Sequence, residues 1–132
     1  MSRLMQRFVL ALVVLVTASV SAFAQSLPSW SYWTNQRGSV MKIFTVEPSG
    51  NFTGVYINNA SGFGCQGPPG FALTGRSSGP NVTFTVVWNN GIQNCNSTTT
   101  WWGVLNGRVL PTTWILTSPN GQQRGTDVFT QQ

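Results

Sequence analysis

From Ser31 onward the chain is a succession of short runs rich in Val, Ile, Thr, Phe, Tyr and Trp, each closed by a turn signal, with no convincing helical periodicity. Eight runs stand out: Ser31–Asn35, Ser39–Val46, Phe52–Asn58, Phe71–Arg76, Val82–Trp88, Thr98–Leu105, Val109–Thr117 and Thr126–Thr130. Pro48-Ser49-Gly50-Asn51 is a hairpin turn, Asn106-Gly107 a two-residue hairpin signal, and Ser118-Pro119-Asn120-Gly121 turns the chain into the last run. Residues alternate along the runs: Phe84, Val86 and Trp88 share one face, as do Trp114 and Leu116. Short connections between sequential strands predict an all-β fold, an eight-stranded antiparallel up-and-down β-barrel, which removes the exposed edges of an open sheet. A barrel of that size has room for its own side chains and one small ligand.

The first two dozen residues do not fit this pattern. Arg3 and Arg7 form a basic start, Phe8 to Val16 is apolar, and Ala22-Phe23-Ala24 is a small-residue cleavage signal. Residues 1–24 therefore read as a secretory signal peptide, and 25–132 as one mature domain, secreted or periplasmic. The apolar run is short of the ~20 residues that a membrane span needs, so no membrane association is expected once the leader is removed. The five basic residues left (Arg37, Lys42, Arg76, Arg108, Arg124) are scattered, which argues against a nucleic-acid surface. Export permits a disulfide, and Cys65 and Cys95 both lie in polar, Gly- and Asn-rich stretches. They read as a staple between the two longest connections, Asn59–Gly70 and Asn89–Asn96, which hang over the same end of the barrel.

The side-chain inventory excludes most chemistry. The chain has no His, and its only acids are Glu47 and Asp127. Metal sites draw on His, Cys or carboxylates, and acid–base catalysis on His or paired carboxylates. The expectation is therefore no enzyme, no metal and no cofactor. Six tryptophans set among many Ser, Thr and Asn suit a pocket that holds a compact, uncharged polar ligand.

Four clusters carry a more specific signal: Trp33-Thr34-Asn35-Gln36-Arg37-Gly38-Ser39, Phe52-Thr53-Gly54-Val55-Tyr56, Asn94-Cys95-Asn96-Ser97-Thr98-Thr99-Thr100-Trp101, and Thr113-Trp114-Ile115-Leu116-Thr117-Ser118 followed by Gly125-Thr126-Asp127-Val128-Phe129-Thr130. In this order, with Leu73-Thr74-Gly75-Arg76 and Val87-Trp88, the chain resembles the avidin and streptavidin family from about Trp33 to Thr130. The resemblance implies a barrel that binds biotin in its open end. Asn35, Ser39 and Tyr56 would donate to the ureido oxygen, and Asp127 would accept from one ureido N–H. Asn58 would accept from the other N–H, and Thr99 would approach the ring sulfur. Ser97 and the loop near Ser61 would meet the valerate carboxylate, while Trp88, Trp101, Trp114 and Leu116 would wall the bicyclic ring. Trp33 reads as barrel core, and Trp30 and Trp102 as packing or surface.

One departure bears on assembly. Tetrameric members send a tryptophan from the loop before the last strand into the neighbouring pocket, and here Ser118–Arg124 has none. The two cysteines and the segments around them resemble dimeric, disulfide-containing members such as rhizavidin, which implies a homodimer. Two other readings remain at this point. A carbohydrate-binding β module would place its aromatics on an exposed flat strand face. An avidin-like protease inhibitor would leave the Asn–Ser–Tyr–Asp set without a task.

Overall fold

A computed structural model describes residues 13–14 and 25–132. The leader expected over residues 1–24 lies outside the described residues apart from 13–14. Eight strands follow one another: β1 (Ser31–Asn35), β2 (Val40–Val46), β3 (Asn51–Ile57), β4 (Phe71–Ser78), β5 (Asn81–Asn89), β6 (Asn94–Val104), β7 (Val109–Ser118) and β8 (Gly121–Gln131). Each pairs antiparallel with its neighbour in sequence, and β1 pairs with β8 to close the barrel. No helix among the described residues is long and apolar enough to cross a membrane.

The alternation read from the sequence sets the inside of the barrel. Trp33, Phe52, Phe71, Leu73, Val82, Phe84, Val86, Leu110 and Phe129 are buried. Phe84 stacks on Trp101 with ring centroids 4.9 Å apart, and the Phe129 ring meets Phe84 edge-on at 5.7 Å. Trp33 is fully buried and donates its indole N–H to Ser31 Oγ (2.8 Å), whereas Trp30 and Trp102 are exposed. The segment before β1 closes one end. Leu27 is buried there, and its N–H donates to Ser77 Oγ (3.1 Å). The other end, where β1–β2, β3–β4, β5–β6 and β7–β8 are joined, stays open.

Most strand ends fall within one or two residues of the sequence reading, and three differences are more consequential. β8 starts at Gly121, five residues earlier than expected, and pairs with β7 as far as Ser118↔Gly121. Gly121 to Arg124 are exposed and show no apolar alternation, so the ladder with β7, not burial, makes them strand. The loop expected over Ser118–Arg124 is thus only a tight turn at Pro119–Asn120. Cys95 lies inside β6 rather than in the preceding loop, because β6 begins at Asn94. The β6–β7 turn is centred one residue later than expected, on Gly107–Arg108, with Asn106 and Val109 exchanging backbone hydrogen bonds of 2.9 and 3.0 Å.

Cys65 and Cys95 form a disulfide spanning 30 positions of sequence, joining the β3–β4 loop to the start of β6. In the chain-entropy picture a loop of this length contributes roughly 3–4 kcal/mol. Intact mass of the unreduced chain should fall two hydrogens below the thiol form. Chemical denaturation with and without reductant should differ by about 3 kcal/mol, and equal stabilities would show that the staple constrains nothing.

Candidate functional site

The open end begins with the β1–β2 turn. Asn35, the last residue of β1, folds its side chain over that turn, and its Oδ1 accepts from the N–H groups of Arg37 and Ser39, both at 3.0 Å. Gly38 adopts φ +81°, a conformation that L side chains rarely take, so the turn can be this tight. The carbonyl of Asn35 being committed, its Nδ2 faces inward and donates to the Tyr56 hydroxyl (3.3 Å). Ser39, fully buried just before β2, brings its hydroxyl near that of Tyr56 and donates to Asn58 Oδ1 (3.3 Å). Three polar groups, from β1, the β1–β2 turn and β3, therefore converge at one spot inside an otherwise apolar barrel. Burial pushes the Tyr56 hydroxyl well above the ordinary tyrosine value, and the nearby Asp127 carboxylate adds to this. Tyr56 is accordingly a permanent O–H donor at physiological pH.

Asp127 lies beside this cluster on β8, nearly inaccessible to solvent. Its Oδ2 accepts from the Trp101 indole N–H (2.9 Å). Its Oδ1 accepts from Gln36 Nε2 and Arg37 Nε, each at 2.9 Å. A carboxylate has about four acceptor positions, so this one keeps room for a further donor.

Above these groups is a cavity of about 210 Å³ lined by Arg37, Tyr56, Asn58, Ala60, Ser61, Gly62, Phe63, Trp88, Thr99, Trp101, Trp114, Leu116, Gln123 and Asp127. Its walls are aromatic. Tyr56 stacks on Trp101 at 4.9 Å, and Trp88 meets Tyr56 edge-on at 5.7 Å. The Trp88 indole N–H donates to Thr99 Oγ1 (2.8 Å), which leaves the Thr99 hydroxyl proton available. Trp114 lies across Gly125 of β8, where any Cβ would collide with the indole. That is the physical reason for a glycine in mid-strand here.

The residues named from the sequence are thus largely brought together. Tyr56, Asn58, Ser61, Trp88, Thr99, Trp101, Trp114, Leu116 and Asp127 line the cavity, and Asn35 and Ser39 sit behind Tyr56 at its base. Asn58 anchors the loop over the mouth. Its Nδ2 donates to Cys65 O (3.1 Å), and its Oδ1 accepts from Ala60 N–H (3.1 Å) and the Ser39 hydroxyl (3.3 Å). Ser97 shares the inward face of β6 with Thr99 and Trp101 but does not line the cavity; its Oγ is buried with no hydrogen-bond partner among the described residues.

Four lining or supporting residues were not given roles from the sequence: Gln36, Arg37, Phe63 and Gln123. Phe63 packs edge-on against Trp88 with centroids 5.0 Å apart, over the cavity from the β3–β4 loop. An aromatic residue in the Gly-rich stretch Ser61-Gly62-Phe63-Gly64-Cys65 was the available signal. Gln36 and Arg37 lay within a quoted cluster, but nothing local shows that their side chains reach across to β8.

The model of the Avidin family matches residues 24–132. Afifavidin from Afifella pfennigii is 42% identical over 120 residues, covering 83% of this chain and 74% of that protein. Hoefavidin from Hoeflea phototrophica is 36% identical over 149 residues, covering 91% and 90%. Among solved structures, the biotin complex of a shwanavidin variant superposes with a TM-score of 0.74 at 38% identity, covering 83% of this chain and 100% of that one. Rhizavidin superposes with a TM-score of 0.70 at 41% identity, covering 77% and 81%. A closed eight-stranded barrel, a polar cluster at its base, an aromatic cavity above it and these matches lead to one conclusion: the chain belongs to the avidin family.

Proposed function

We propose that this is an exported, non-enzymatic biotin-binding protein that takes biotin ureido-first into the open end of the barrel and works as a homodimer. The observation that carries the reading is the convergence of Asn35, Ser39 and Tyr56 at one buried point, with Asp127 beside it and Trp88, Trp101 and Trp114 around the space above. Biotin is the ligand in the solved complexes of the shwanavidin variant and of short afifavidin. The convergence inside the barrel also favours this reading over a carbohydrate module with its aromatics on an outer face.

The three donors suit a ureido oxygen, and the open acceptor position of Asp127 suits a ureido N–H. Thr99 offers its proton toward the ring sulfur. The second ureido N–H would share Asn58 Oδ1 with the two bonds it already accepts. Ser97, whose hydroxyl has no partner among the described residues, and Ser61 on the exposed rim are the groups nearest the loops for the valerate carboxylate. A largely preformed polar set costs little to organise on binding, and this favours affinity.

Export rests on the basic start, apolar run and Ala22-Phe23-Ala24 of the leader, together with the disulfide. Dimerisation rests on the outer wall of β5–β8. Val87, Trp102, Val104, Val109 and Val128 are exposed there among threonines, with Arg124 the one charge on the outward positions of these four strands. The turn Pro119–Asn120 carries no tryptophan to reach a further subunit.

Calorimetry of the mature, oxidised protein should find one biotin per chain. Asp127→Ala should weaken binding by about 2–3 kcal/mol, because a ligand N–H loses a charged acceptor. Tyr56→Phe should cost only about 0.5–1.5 kcal/mol, since two donors still serve the same oxygen. Equal, negligible effects would show the ureido assignment to be wrong. Gly125→Ala should displace the Trp114 indole and weaken binding roughly tenfold, overpacking of this kind costing about 1–3 kcal/mol; unchanged binding would mean that Trp114 is not a wall of the ligand site. Light scattering at micromolar concentration should give the mass of two chains, with and without biotin. A persistent four-chain mass would show that other contacts replace the missing tryptophan.

A further inference from the structure

The outer wall of β1–β4 carries a group of side chains that the ligand cavity does not use. Trp30, just before β1, Tyr32 on β1 and Phe44 on β2 are 75%, 41% and 37% exposed. The Trp30 and Phe44 rings are neighbours, with centroids 5.9 Å apart and planes inclined by 36°. Lys42 Nζ stands 6.0 Å over the Tyr32 ring. Trp30 has φ +54°, a left-handed conformation that bulky side chains rarely adopt. The segment around it is pinned at three points. Trp30 N–H donates to Phe44 O (2.8 Å), Val46 N–H to Ser29 Oγ (2.8 Å), and the Ser31 hydroxyl to Pro28 O (2.7 Å). A large indole is thereby fixed in solvent at a cost in backbone strain, and strain of this kind clusters at ligand sites.

The same wall continues into a depression of about 490 Å³, whose outward-facing residues are Asn51, Thr53, Thr74, Arg76, Thr83 and Thr85. The strand registers relate its one cation to Lys42. Lys42 pairs with Val55 and Arg76 with Asn51, so the two stand two strands apart and are offset along β3 from Val55 to Asn51. With ordinary strand spacings that is a separation on the order of 15 Å. Neither has an acidic partner, the one salt bridge among the described residues being Arg37–Asp127. Asp127 is inside the barrel, and Glu47, the only other acid, sits in the β2–β3 turn beside Ser49. The outward positions of β1–β4 therefore hold two cations and no acid.

We propose that this wall is a second binding site, for an acidic polysaccharide: a chain of pyranose rings that carry carboxylates. Trp30 and Phe44 offer ring faces to the C–H face of a sugar. Lys42 and Arg76 offer charge to its carboxylates, Arg76 in a two-pronged geometry. Thr53, Thr74, Thr83 and Asn51 between and beside them offer the donors and acceptors that ring hydroxyls need. That hydroxyl- and amide-rich lining favours a sugar over an anionic lipid surface, which would need apolar side chains on a protruding loop. The site does not depend on the biotin reading. A dimer formed through β5–β8 leaves β1–β4 outside the interface, so each dimer would present two such walls and hold a long chain by avidity.

The test is calorimetric titration of the mature, oxidised protein with hexagalacturonate. Cellohexaose is the uncharged control and hexaglutamate the anionic control without sugar rings. Wild type should bind hexagalacturonate at least about tenfold more tightly than either control, and added salt should weaken that binding. Trp30→Gly, which suits the positive φ, should weaken it about tenfold. Lys42→Gln and Arg76→Gln should each weaken it about threefold, as expected of exposed ion pairs. All three variants should keep the wild-type thermal unfolding and biotin titration, which separates a lost surface from a lost fold. No binding of hexagalacturonate by wild type would overturn the proposal, and so would wild-type affinity in Trp30→Gly. Equal affinity for hexaglutamate would also overturn it, because charge alone would then account for binding. Trp30-dependent retention on phosphatidylglycerol vesicles, with no binding of hexagalacturonate, would overturn the sugar and assign the wall to a membrane surface.

Discussion

A single buried carboxylate ties the two ends of the barrel sequence together. Asp127 stands on the last strand, yet its partners come from the β1–β2 turn (Gln36, Arg37) and from β6 (Trp101). A charge buried without partners is expensive, so the turn, the sheet closure and the indole orientation have to agree for Asp127 to be tolerated. The agreement depends on the pairing of β1 with β8, which sets Asn35 opposite Phe129, two residues from the carboxylate. The Gln36 side chain reinforces that seam from both sides, donating to Asp127 and to Thr126 O and accepting from Val128 N–H. Barrel closure and site assembly are thus one event, and a chain that failed to close would have no pocket.

The mouth of the site is organised by a second set of contacts. Asn58 at the end of β3 holds the long β3–β4 loop by its side chain, and the disulfide ties the same loop to β6. Phe63 is thereby held over Trp88, half-buried at the rim of the cavity. On the proposed reading, this loop of the chain itself covers the ligand, in place of a tryptophan from the β7–β8 turn. A stapled loop loses less entropy on closing over a ligand than a free one, which favours slow release.

Much of this was legible in the sequence, for identifiable reasons. Strands such as β5 have one face in the core, so Phe84, Val86 and Trp88 announce them by alternation. The motif Asn35-Gln36-Arg37-Gly38-Ser39 announces a tight turn whose side chains have tasks. Features decided by distant partners were hidden. Gly121 to Arg124 are strand only because β7 lies beside them, and their exposed side chains carry no pattern. The reach of Arg37 to Asp127 crosses 90 positions of sequence, and no local rule predicts it. Gly125 looks like a weak point in a strand until Trp114 is seen lying across it. The exchange of Asn106 for Arg108 within the β6–β7 turn is a one-residue register choice that the Asn-Gly signal leaves open.

The central claim is that a preformed polar cluster at the base of the barrel recognises a ureido group. A crystal structure of the mature, oxidised protein with biotin tests it most directly. The account predicts the ureido oxygen within hydrogen-bond distance of Asn35 Nδ2, Ser39 Oγ and the Tyr56 hydroxyl, one ureido N–H on Asp127, and the bicyclic ring between Trp88, Trp101 and Trp114. Biotin bound with its ureido group turned to the loops, or bound outside the barrel, would contradict it.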